Sequence, residues 1–421
     1  MPTLFEGEAT AEVRRQYPPT GTDPDVSLRH IDPKQRGFLI VNSHPAGAAA
    51  AVSRMWDRIP PRADGSAPVV LLLGHSAGYG LAALLTGLRR HGIRGVGVAY
   101  EGAETERRTA SAGWYRTAEA ARLAAEAGCD FAFVNTDAFS AKGKDEVLAL
   151  VERRFGKVDH LIYSLAAPRR TDPETGTVHH SVIKPLGAPY EAPALDFSDG
   201  RPKVTSVRLE AGTEDEKHAT EQVMGGGDWR LWVQALAERG LLAAGFSTVA
   251  LTYIGSELTS PIYRQGTIGA AKEHLEGTAG QLNAGVLAGR GRARAVVTGA
   301  AVTQASSAIP SIALYTTFLR TVLGEDFRTT DQQAAELWDQ LLGNTPLVTD
   351  AEGRVRLDGW ELDARVQDQV RALWADPQAG LDRSAAGAEW FMGQIRELYG
   401  WGLDGVDYDR AVETSIAWPE A

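Results

Sequence analysis

Apolar runs that alternate with amphipathic stretches constrain the fold of this chain more than any other feature. The run Val69–Leu73 contains only valine and leucine and ends at Gly74. Such a continuous run is typical of a strand buried on both faces of a parallel sheet. Residues 95–100, 129–134 and 158–164 repeat the pattern, with a helical stretch before each of them. The alternation predicts right-handed βαβ units, and therefore an α/β fold built on a doubly wound parallel sheet.

The rest of the chain reads as an N-terminal extension and one large domain. Residues 1–35 carry prolines and few apolar repeats, which indicates an arm, and residues 36–421 are predicted to form a single domain. Residues 171–220 break the strand–helix rhythm with proline, glycine and charge. We therefore expect an insertion that covers a site as a lid, spanning about residues 171–245.

Weaker patterns predict the remaining elements. Strands are expected at 37–41, 247–253 and 295–302, and helices at 48–56, 81–91, 117–127, 144–155 and 228–239, with a largely helical region from residue 330 onward. Trp229 and Trp232 lie three residues apart on one predicted helix, so they share a face. We expect them to pack in a core or a lid, and contact with an acyl chain is the alternative.

Composition excludes several classes of protein. The net charge of −11 argues against general binding of nucleic acid. No apolar run approaches the roughly 18 residues that span a bilayer, so no membrane insertion is expected. Cys129 is the only cysteine in 421 residues, which leaves no internal disulfide and no cysteine-based zinc site. We expect a cytoplasmic enzyme without a metal.

A glycine-rich loop follows the first strong strand. Residues 74–80 read GHSAGYG, with the spacing G-x3-G-x-G, and a helical pattern follows them. Glycines let the backbone approach a pyrophosphate, and a helix N-terminus offers free N–H groups and the positive end of a dipole. An ordinary tight turn is the alternative. The strand before the loop and the helix after it favour a dinucleotide cofactor in a Rossmann-type site.

Residues at the ends of the next three strands fit the rest of such a cofactor. Glu101 ends the second strand, where a carboxylate accepts hydrogen bonds from ribose hydroxyls and repels the extra phosphate of NADP, so NADH is favoured. Arg107 and Arg108 lie close enough in sequence to weaken that preference. Asp137, after the third strand, is either an adenine contact or a solvated loop acid. The small residues after Ser164 serve either the nicotinamide ribose or close helix–strand packing.

Two tyrosines and a lysine are the candidate catalytic residues. Tyr253 and Tyr263 are ten residues apart, and Lys272 follows nine residues later. A phenol stabilises the enolate that forms when hydride reaches a conjugated carbonyl compound, and a nearby lysine holds the cofactor ribose and lowers the pKa of the phenol. The plainer alternative is a chance spacing on a solvated helix face.

The spacing between Tyr263 and Lys272 also predicts local structure. Nine residues of a regular helix turn through about 900°, which would place the two side chains on opposite faces. They cannot then reach one cofactor. Because Pro261, Gly266 and Gly269 disfavour a regular helix, we predict that Tyr263 lies in a loop and that the helix begins near Thr267.

Taken in order, these motifs resemble the short-chain dehydrogenase/reductase superfamily. The usual Tyr-x3-Lys and Tyr-x6-Lys spacings are absent from the sequence, and Tyr263 to Lys272 is instead Tyr-x8-Lys. Together with residues 224–226 (MGG), Asp228-Trp229 and residues 304–310 (QASSAIP), that spacing resembles the FabV-type enoyl-ACP reductases and the trans-2-enoyl-CoA reductases. The resemblance covers the chain from about residue 36. The N-terminal arm and His75, where the family has a small residue, depart from it.

The resemblance implies a monomeric, NADH-dependent Rossmann-fold enzyme with a helical lid. It makes Tyr263 the catalytic tyrosine, Tyr253 a contact to the substrate thioester and Lys272 a cofactor ligand that also supports catalysis. It further implies cofactor contacts from Gly74, His75, Ser76, Ala77, Gly78, Tyr79, Tyr100, Glu101, Asp137, Ala138, Leu165, Ala166, Ala301, Val302 and Thr303. The expected reaction is reduction of the C2–C3 double bond of a trans-2-enoyl thioester of CoA or acyl carrier protein.

Two other functions remain open at this stage. A ketoreductase-like dehydrogenase on the same scaffold would reduce a β-ketoacyl thioester, and a non-catalytic regulator would bind NADH without turnover. The sequence does not separate CoA from carrier protein, does not fix acyl chain length, and does not distinguish primary fatty-acid synthesis from a specialised pathway. It also leaves open which tyrosine delivers the proton.

Overall fold

The structure is a computed structural model that describes residues 28–62, 67–198, 200–307, 309 and 311–420. Its strands are β1 (Leu28–Arg29), β2 (Gln35–Arg36), β3 (Leu39–Ile40), β4 (Val69–Leu73), β5 (Arg94–Ala99), β6 (Phe131–Asn135), β7 (Val158–Tyr163), β8 (Arg169–Thr171), β9 (Val178–His180), β10 (Tyr190–Asp196), β11 (Lys203–Leu209), β12 (Leu242–Thr252), β13 (Gly291–Val297), β14 (Val355–Arg356) and β15 (Val412–Glu413). Its α-helices are α1 (Pro45–Arg58), α2 (Gly78–Thr86), α3 (Ala112–Glu126), α4 (Ala141–Arg154), α5 (Glu214–Met224), α6 (Gly227–Glu238), α7 (Thr267–Ala284), α8 (Gln304–Ser307), α9 (Ile312–Leu323), α10 (Thr330–Leu341), α11 (Ala364–Trp374), α12 (Pro377–Asp382) and α13 (Ala385–Glu397).

Seven of these strands form one sheet in the order β6-β5-β4-β7-β12-β13-β14. Every neighbouring pair in it is parallel. The chain starts at β4, adds two strands on one side, and then returns to add β7 and the others on the opposite side. That order is typical of the Rossmann fold, whose ligands bind at the carboxyl ends of the strands where the order reverses. The predicted doubly wound α/β sheet is confirmed, and its reversal point lies between β4 and β7.

Helices cover both faces of the sheet and supply its core. Helices α4, α6 and α7 pack on one face, where Trp229 and Trp232 are fully buried. Both indole N–H groups donate hydrogen bonds, from Trp229 to the Thr248 hydroxyl at 2.8 Å and from Trp232 to the Ala138 carbonyl at 3.1 Å. Helices α1, α2, α3 and α10 pack on the other face. The prediction that the two tryptophans pack in a core is confirmed.

The segment between β7 and α6 departs from the strand–helix rhythm, as its composition predicts. It contains the hairpins β8–β9 and β10–β11 and the helix α5, and none of these strands joins the main sheet. Leu195 of β10 packs instead in a separate helical core around Phe318 of α9. The role of this segment as a lid stays a prediction. Helix α6 lies within the predicted lid range, but it belongs to the layer that covers the sheet.

The ends of the described chain meet. Strand β1 pairs antiparallel with β15, so part of the predicted N-terminal extension contacts the C-terminal segment. Residues 1–27 of that extension lie outside the described residues, and the boundary at residue 35 stays a prediction. Among the helices described, none has the length and apolar character needed to cross a membrane.

The end of β13 differs from the prediction. The strand stops at Val297 and not at residue 302. The Thr298 N–H still donates to the Thr252 carbonyl of β12 at 2.8 Å. The next two backbone N–H groups donate to side chains instead: Gly299 to the Gln333 amide oxygen at 2.8 Å and Ala300 to the Glu361 carboxylate at 2.5 Å. The apolar run therefore continues as an extended loop at the carboxyl edge of the sheet.

Candidate active site

The glycine loop lies at the reversal point of the sheet. Gly74 has a φ of 87°, and a Cβ atom there would collide with the Ser164 carbonyl at the end of β7. A Cβ atom at Gly80 would collide with the Gly74 carbonyl. Both positions therefore exclude a side chain for steric reasons, and Gly74 additionally has a backbone conformation that favours glycine. The loop crosses the carboxyl ends of β4 and β7, where a Rossmann fold holds its dinucleotide.

The loop also opens helix α2 with free amides. The N-cap residue Ala77 makes no side-chain capping bond, so the first N–H groups of the helix remain available to an anion. A Cβ atom at Gly78 would lie 3.2 Å from Thr303 Cγ2. The predicted pyrophosphate loop and the predicted nicotinamide segment 301–303 are therefore neighbours. The Ser306 hydroxyl holds that segment by accepting from the Thr303 N–H at 2.9 Å.

His75 points away from the loop. Its imidazole is fully buried, edge-on to Phe133 at 5.4 Å between ring centroids and 3.3 Å from the Thr117 hydroxyl. Burial lowers the pKa of His75 to about 4, so the ring is neutral. A larger residue is accommodated here because the side chain enters the protein interior. His75 is thus a core residue, and its predicted cofactor contact is not one that the imidazole makes.

Glu101 is a pre-positioned carboxylate beside the loop. It accepts a hydrogen bond from the Ser76 hydroxyl at 2.5 Å and another from the Ser111 hydroxyl. A Cβ atom at Gly113 would collide with it, so the sequence leaves room for this rotamer. Tyr100, the preceding residue, is 73% exposed. These contacts keep the carboxylate at the end of β5, where the cofactor ribose is expected.

A buried ion pair holds the predicted adenine loop around Asp137 and Ala138. The Lys144 ammonium donates to the carbonyls of Ala138 and Phe139 at 2.8 and 3.1 Å and to Asp228 at 2.6 Å. Asp228 also accepts from the Tyr163 hydroxyl at 3.1 Å. Asp137 remains partly exposed at the surface of the loop, whereas Ala138 is buried. Across the reversal point, Leu165 is partly buried and Ala166 is exposed.

Tyr253 and Tyr263 meet at the end of β12. Their ring centroids are 5.0 Å apart, with the rings at 83°. Tyr263 lies in the turn before α7, which begins at Thr267, so the predicted start of this helix is confirmed. The turn packs closely, because a Cβ atom at Gly269 would collide with the Arg264 carbonyl. Sequence spacing therefore placed the second tyrosine correctly outside the helix.

The two phenols differ in what their hydroxyls contact. Within the described part of the chain the Tyr263 hydroxyl makes no hydrogen bond, whereas the Tyr253 hydroxyl donates to Glu361 at 2.6 Å. Burial raises the pKa of Tyr263. This direction is opposite to the expectation that Lys272 lowers it. Tyr263 is therefore a neutral O–H donor that is free for a ligand.

Lys272 is a partly buried cation at the start of helix α7. Its ammonium makes no hydrogen bond or ion pair with any residue that the structure describes. Glu276, one turn later, is occupied by Arg264 at 2.8 Å and by Arg354 at 3.0 Å. Burial lowers the pKa of Lys272 to about 8. Such an ammonium is suited to hydroxyls or phosphates that a ligand brings.

Replacing Lys272 by methionine should weaken NADH binding and stabilise the free protein. Loss of a charge-assisted hydrogen bond, about 1.5–3 kcal/mol, corresponds to roughly a tenfold or greater rise in Kd. Because folding lowers the pKa of Lys272 from 10.5 to about 8, the charged form penalises folding fully below pH 8. That penalty disappears as pH rises toward 10.5. Lys272→Met should therefore unfold at higher urea concentration than wild type at pH 7, with a smaller difference at pH 10.

The control for this experiment is Lys142→Met, which removes an exposed ammonium. It should change neither the NADH affinity, measured by fluorescence titration, nor the urea midpoint. A Lys272→Met protein that binds NADH as wild type does would contradict the assignment.

Glu361 is a site residue that sequence reasoning missed. Its carboxylate is fully buried and accepts from Tyr253, from Tyr315 at 2.8 Å and from the Ala300 N–H. It comes from the loop between β14 and α11, 108 residues beyond Tyr253. A single acid in a helical region carries no local sequence signal, so only the tertiary structure reveals it.

Three family models match consecutive parts of the chain. Residues 30–106 match the NAD(P)H binding domain of trans-2-enoyl-CoA reductase, and residues 108–342 match the trans-2-enoyl-CoA reductase catalytic region. Residues 349–412 match the enoyl reductase FAD binding domain. The first two contain the glycine loop, Glu101, both tyrosines and Lys272.

The described residues of the third match do not fit a flavin site. Helices α11, α12 and α13 pack on α9 through buried side chains such as Phe318, Val370 and Phe391. A Cβ atom at Gly387 would lie 2.5 Å from the Thr321 hydroxyl, and one at Gly380 would collide with the Leu373 carbonyl. These glycines allow helices to approach each other and do not form a phosphate cradle. The segment is a packed helical layer that supplies Glu361.

Curated relatives and solved structures agree with these matches. The chain is 49% identical over 394 residues to an enoyl-[acyl-carrier-protein] reductase [NADH] of Streptomyces avermitilis, covering 93% of this chain and 100% of the relative. It is 39% identical to a trans-2-enoyl-CoA reductase [NADH] of Clostridium perfringens, covering 91% and 98%. The solved trans-2-enoyl-CoA reductase of Clostridium acetobutulicum in complex with NADH superposes with a TM-score of 0.86 at 33% identity, covering 92% and 98%. The chain therefore belongs to the family of trans-2-enoyl-CoA reductases and NADH-dependent enoyl-[acyl-carrier-protein] reductases.

Proposed function

We propose that this chain reduces the C2–C3 double bond of trans-2-enoyl thioesters with NADH and releases the saturated acyl thioester. The observation that carries the proposal is the Tyr253–Tyr263 contact at the carboxyl edge of a Rossmann sheet. The free hydroxyl of Tyr263 is the donor that such a reaction needs. The names of the relatives support both carriers, since one is an acyl-carrier-protein reductase and the other a CoA reductase.

The residues around the reversal point fit NADH. The free amides of α2 suit the pyrophosphate of NADH, and the ordered Glu101 carboxylate suits its adenosine ribose. The Lys272 ammonium, which pairs with no described residue, suits the second ribose. Backbone groups of residues 301–303 adjoin the loop and suit the nicotinamide. When bound, NADH supplies the hydride that adds to C3 of the enoyl group.

Hydride addition places negative charge on the thioester oxygen. The Tyr263 hydroxyl donates a hydrogen bond to that oxygen, and Tyr253 is the second donor. A donor aimed at a developing oxyanion in a water-excluded site is worth about 3–4 kcal/mol of transition-state stabilisation. Because burial raises the pKa of both phenols, they remain protonated donors at neutral pH. Protonation of C2 completes the reduction.

The test is NADH oxidation followed by absorbance, with crotonyl-CoA as substrate. Rapid loss of NADH is expected with crotonyl-CoA and not with acetoacetyl-CoA, and NADPH should be used far more slowly because Glu101 repels its extra phosphate. Turnover of acetoacetyl-CoA alone would identify a ketoreductase. NADH binding without turnover of crotonyl-CoA or crotonyl-carrier protein would identify a regulator.

The proposal includes a cytoplasmic monomer, as the family resemblance implies. Size-exclusion chromatography with light scattering measures the mass directly, and a mass near 45.2 kDa is expected.

A further inference from the structure

Glu361 is bonded to the tyrosine that is proposed to contact the substrate. One carboxylate oxygen accepts from both the Tyr253 and Tyr315 hydroxyls, at 2.6 and 2.8 Å, and the other accepts from the Ala300 N–H at 2.5 Å. Gln367 donates to the Tyr315 hydroxyl at 3.0 Å and to the Glu361 carbonyl at 2.8 Å. The carboxyl group is thus fixed on both sides, and Tyr253 is turned toward it.

This arrangement conflicts with the role of Tyr253 as a donor to substrate. A phenol has one hydrogen, and an ionised carboxylate is only an acceptor. While Glu361 is ionised, the Tyr253 hydrogen is committed to Glu361 and not to a thioester oxygen. A protonated carboxyl group can donate to the phenol oxygen instead, and this releases the phenol hydrogen for the substrate.

The surroundings of Glu361 favour the protonated form. Tyr253 from the loop after β12, Tyr315 from α9, Tyr79 from α2 and Tyr263 from the turn before α7 face it as neutral phenols. Asp358, in the same loop as Glu361, adds a like charge that is partly neutralised by Arg356 at 2.7 Å. No lysine or arginine forms an ion pair with Glu361 in the described ranges.

Burial of the Glu361 carboxyl group without a neighbouring cation disfavours its charged form. It raises the pKa of Glu361 to about 7, and the hydrogen bonds from Tyr253 and Tyr315 limit the rise. The group therefore changes its protonation state within the range where enzymes are assayed.

We propose that Glu361 is a positioning residue that controls the Tyr253 hydroxyl, so that the protonated carboxyl group frees this hydroxyl for the substrate oxygen and the carboxylate withholds it. The proposal rests on the proposed function, because Tyr253 matters here only if it contacts the enoyl thioester. Glu361 itself touches neither substrate nor cofactor in this scheme. Its effect on turnover is exerted through Tyr253.

The proposal predicts the pH profile of kcat. With saturating crotonyl-CoA and NADH, wild-type kcat should fall as pH rises through the pKa of Glu361, about 7. In Glu361→Gln the oxygen that faces the Ala300 N–H stays an acceptor, and the amide N–H₂ group faces the two phenols as a permanent donor. This variant mimics the protonated state, so its kcat should lose that alkaline fall.

Tyr315→Phe is the matched second variant. It removes one hydrogen bond that stabilises the carboxylate, so the pKa of Glu361 should rise and the alkaline fall should move to higher pH. A residue that only supports folding would change the height of the profile and leave its midpoint in place. The NADH Kd, measured by fluorescence, should change by no more than about twofold in both variants. In Glu361→Gln the retained oxygen still accepts from the Ala300 N–H beside the predicted nicotinamide segment, and Tyr315 bonds to Glu361 and Gln367 and not to that segment.

The outcomes separate the two proposals. An active wild type whose alkaline fall persists unchanged in Glu361→Gln would overturn the role of Glu361 and leave the proposed function standing. A wild type that reduces no enoyl thioester would overturn both. As a readout independent of turnover, infrared difference spectra of wild type against Glu361→Gln should show a carboxylic-acid C=O band at pH 6 that is lost by pH 8; a carboxylate band at both pH values would overturn the proposal.

Discussion

Replacing Tyr263 by phenylalanine should lower kcat for crotonyl-CoA by about 10²–10³-fold and change the NADH Kd by less than about threefold. The phenol hydroxyl is the free donor of the site, whereas its ring is packed in a small core with Ile262, Ile268 and Ile312. Phenylalanine preserves that packing and removes only the hydrogen-bond donor. The loss should therefore fall on the charged transition state and not on cofactor binding.

Tyr408→Phe is the control for this experiment. The Tyr408 hydroxyl accepts from the Leu403 N–H at 2.9 Å and lies in the C-terminal segment, where its ring stacks on Trp401. Its loss should leave kcat within about twofold of wild type. A Tyr263→Phe enzyme with unchanged turnover would remove Tyr263 from the mechanism. Tyr253, whose hydroxyl is bonded to Glu361, would then be the candidate donor to the substrate oxygen.

The part of the site that sequence reasoning predicted is the part built at strand ends. Gly74 follows β4, Glu101 follows β5 and Tyr253 follows β12. In a parallel sheet the carboxyl ends of strands share one edge, so order along the chain is enough to bring these residues together. The position of Tyr263 was predictable for a different reason, since helical geometry forbids it from sharing a regular helix with Lys272.

The residues that were missed come from packing between distant elements. Glu361 reaches Tyr253 because the helical layer of α11–α13 lies over the carboxyl edge, and no periodic pattern encodes that contact. The direction of the His75 side chain was not predictable for a related reason. Its place in a glycine loop indicated a ligand contact, but the space left by Gly97 admits its ring to the interior, since a Cβ atom there would lie 2.9 Å from His75 Nδ1. The direction in which a side chain points depends on the tertiary structure around it.

Removing one partner of the buried ion pair that holds the predicted adenine loop should also have a large effect, in this case on stability. Lys144 and Asp228 are 7% and 1% exposed and lie 2.6 Å apart. Burial lowers the pKa of Lys144 and raises that of Asp228, so each ion depends on the other. Removing one partner leaves a buried charge without compensation, which costs far more than the loss of an exposed pair.

We expect Asp228→Ala to lower the free energy of unfolding by about 3–5 kcal/mol, measured by urea denaturation with tryptophan fluorescence. NADH affinity should also fall, because the Lys144 ammonium holds the Ala138 and Phe139 carbonyls. The double variant Lys144→Met/Asp228→Leu removes both charges and should recover much of the stability, whereas its NADH affinity stays low because the loop has lost its donor. Glu126→Ala, which breaks an exposed pair with Arg122, should cost no more than about 0.5 kcal/mol. If Asp228→Ala cost no more than this surface variant, the ion pair would not be a support of the cofactor loop.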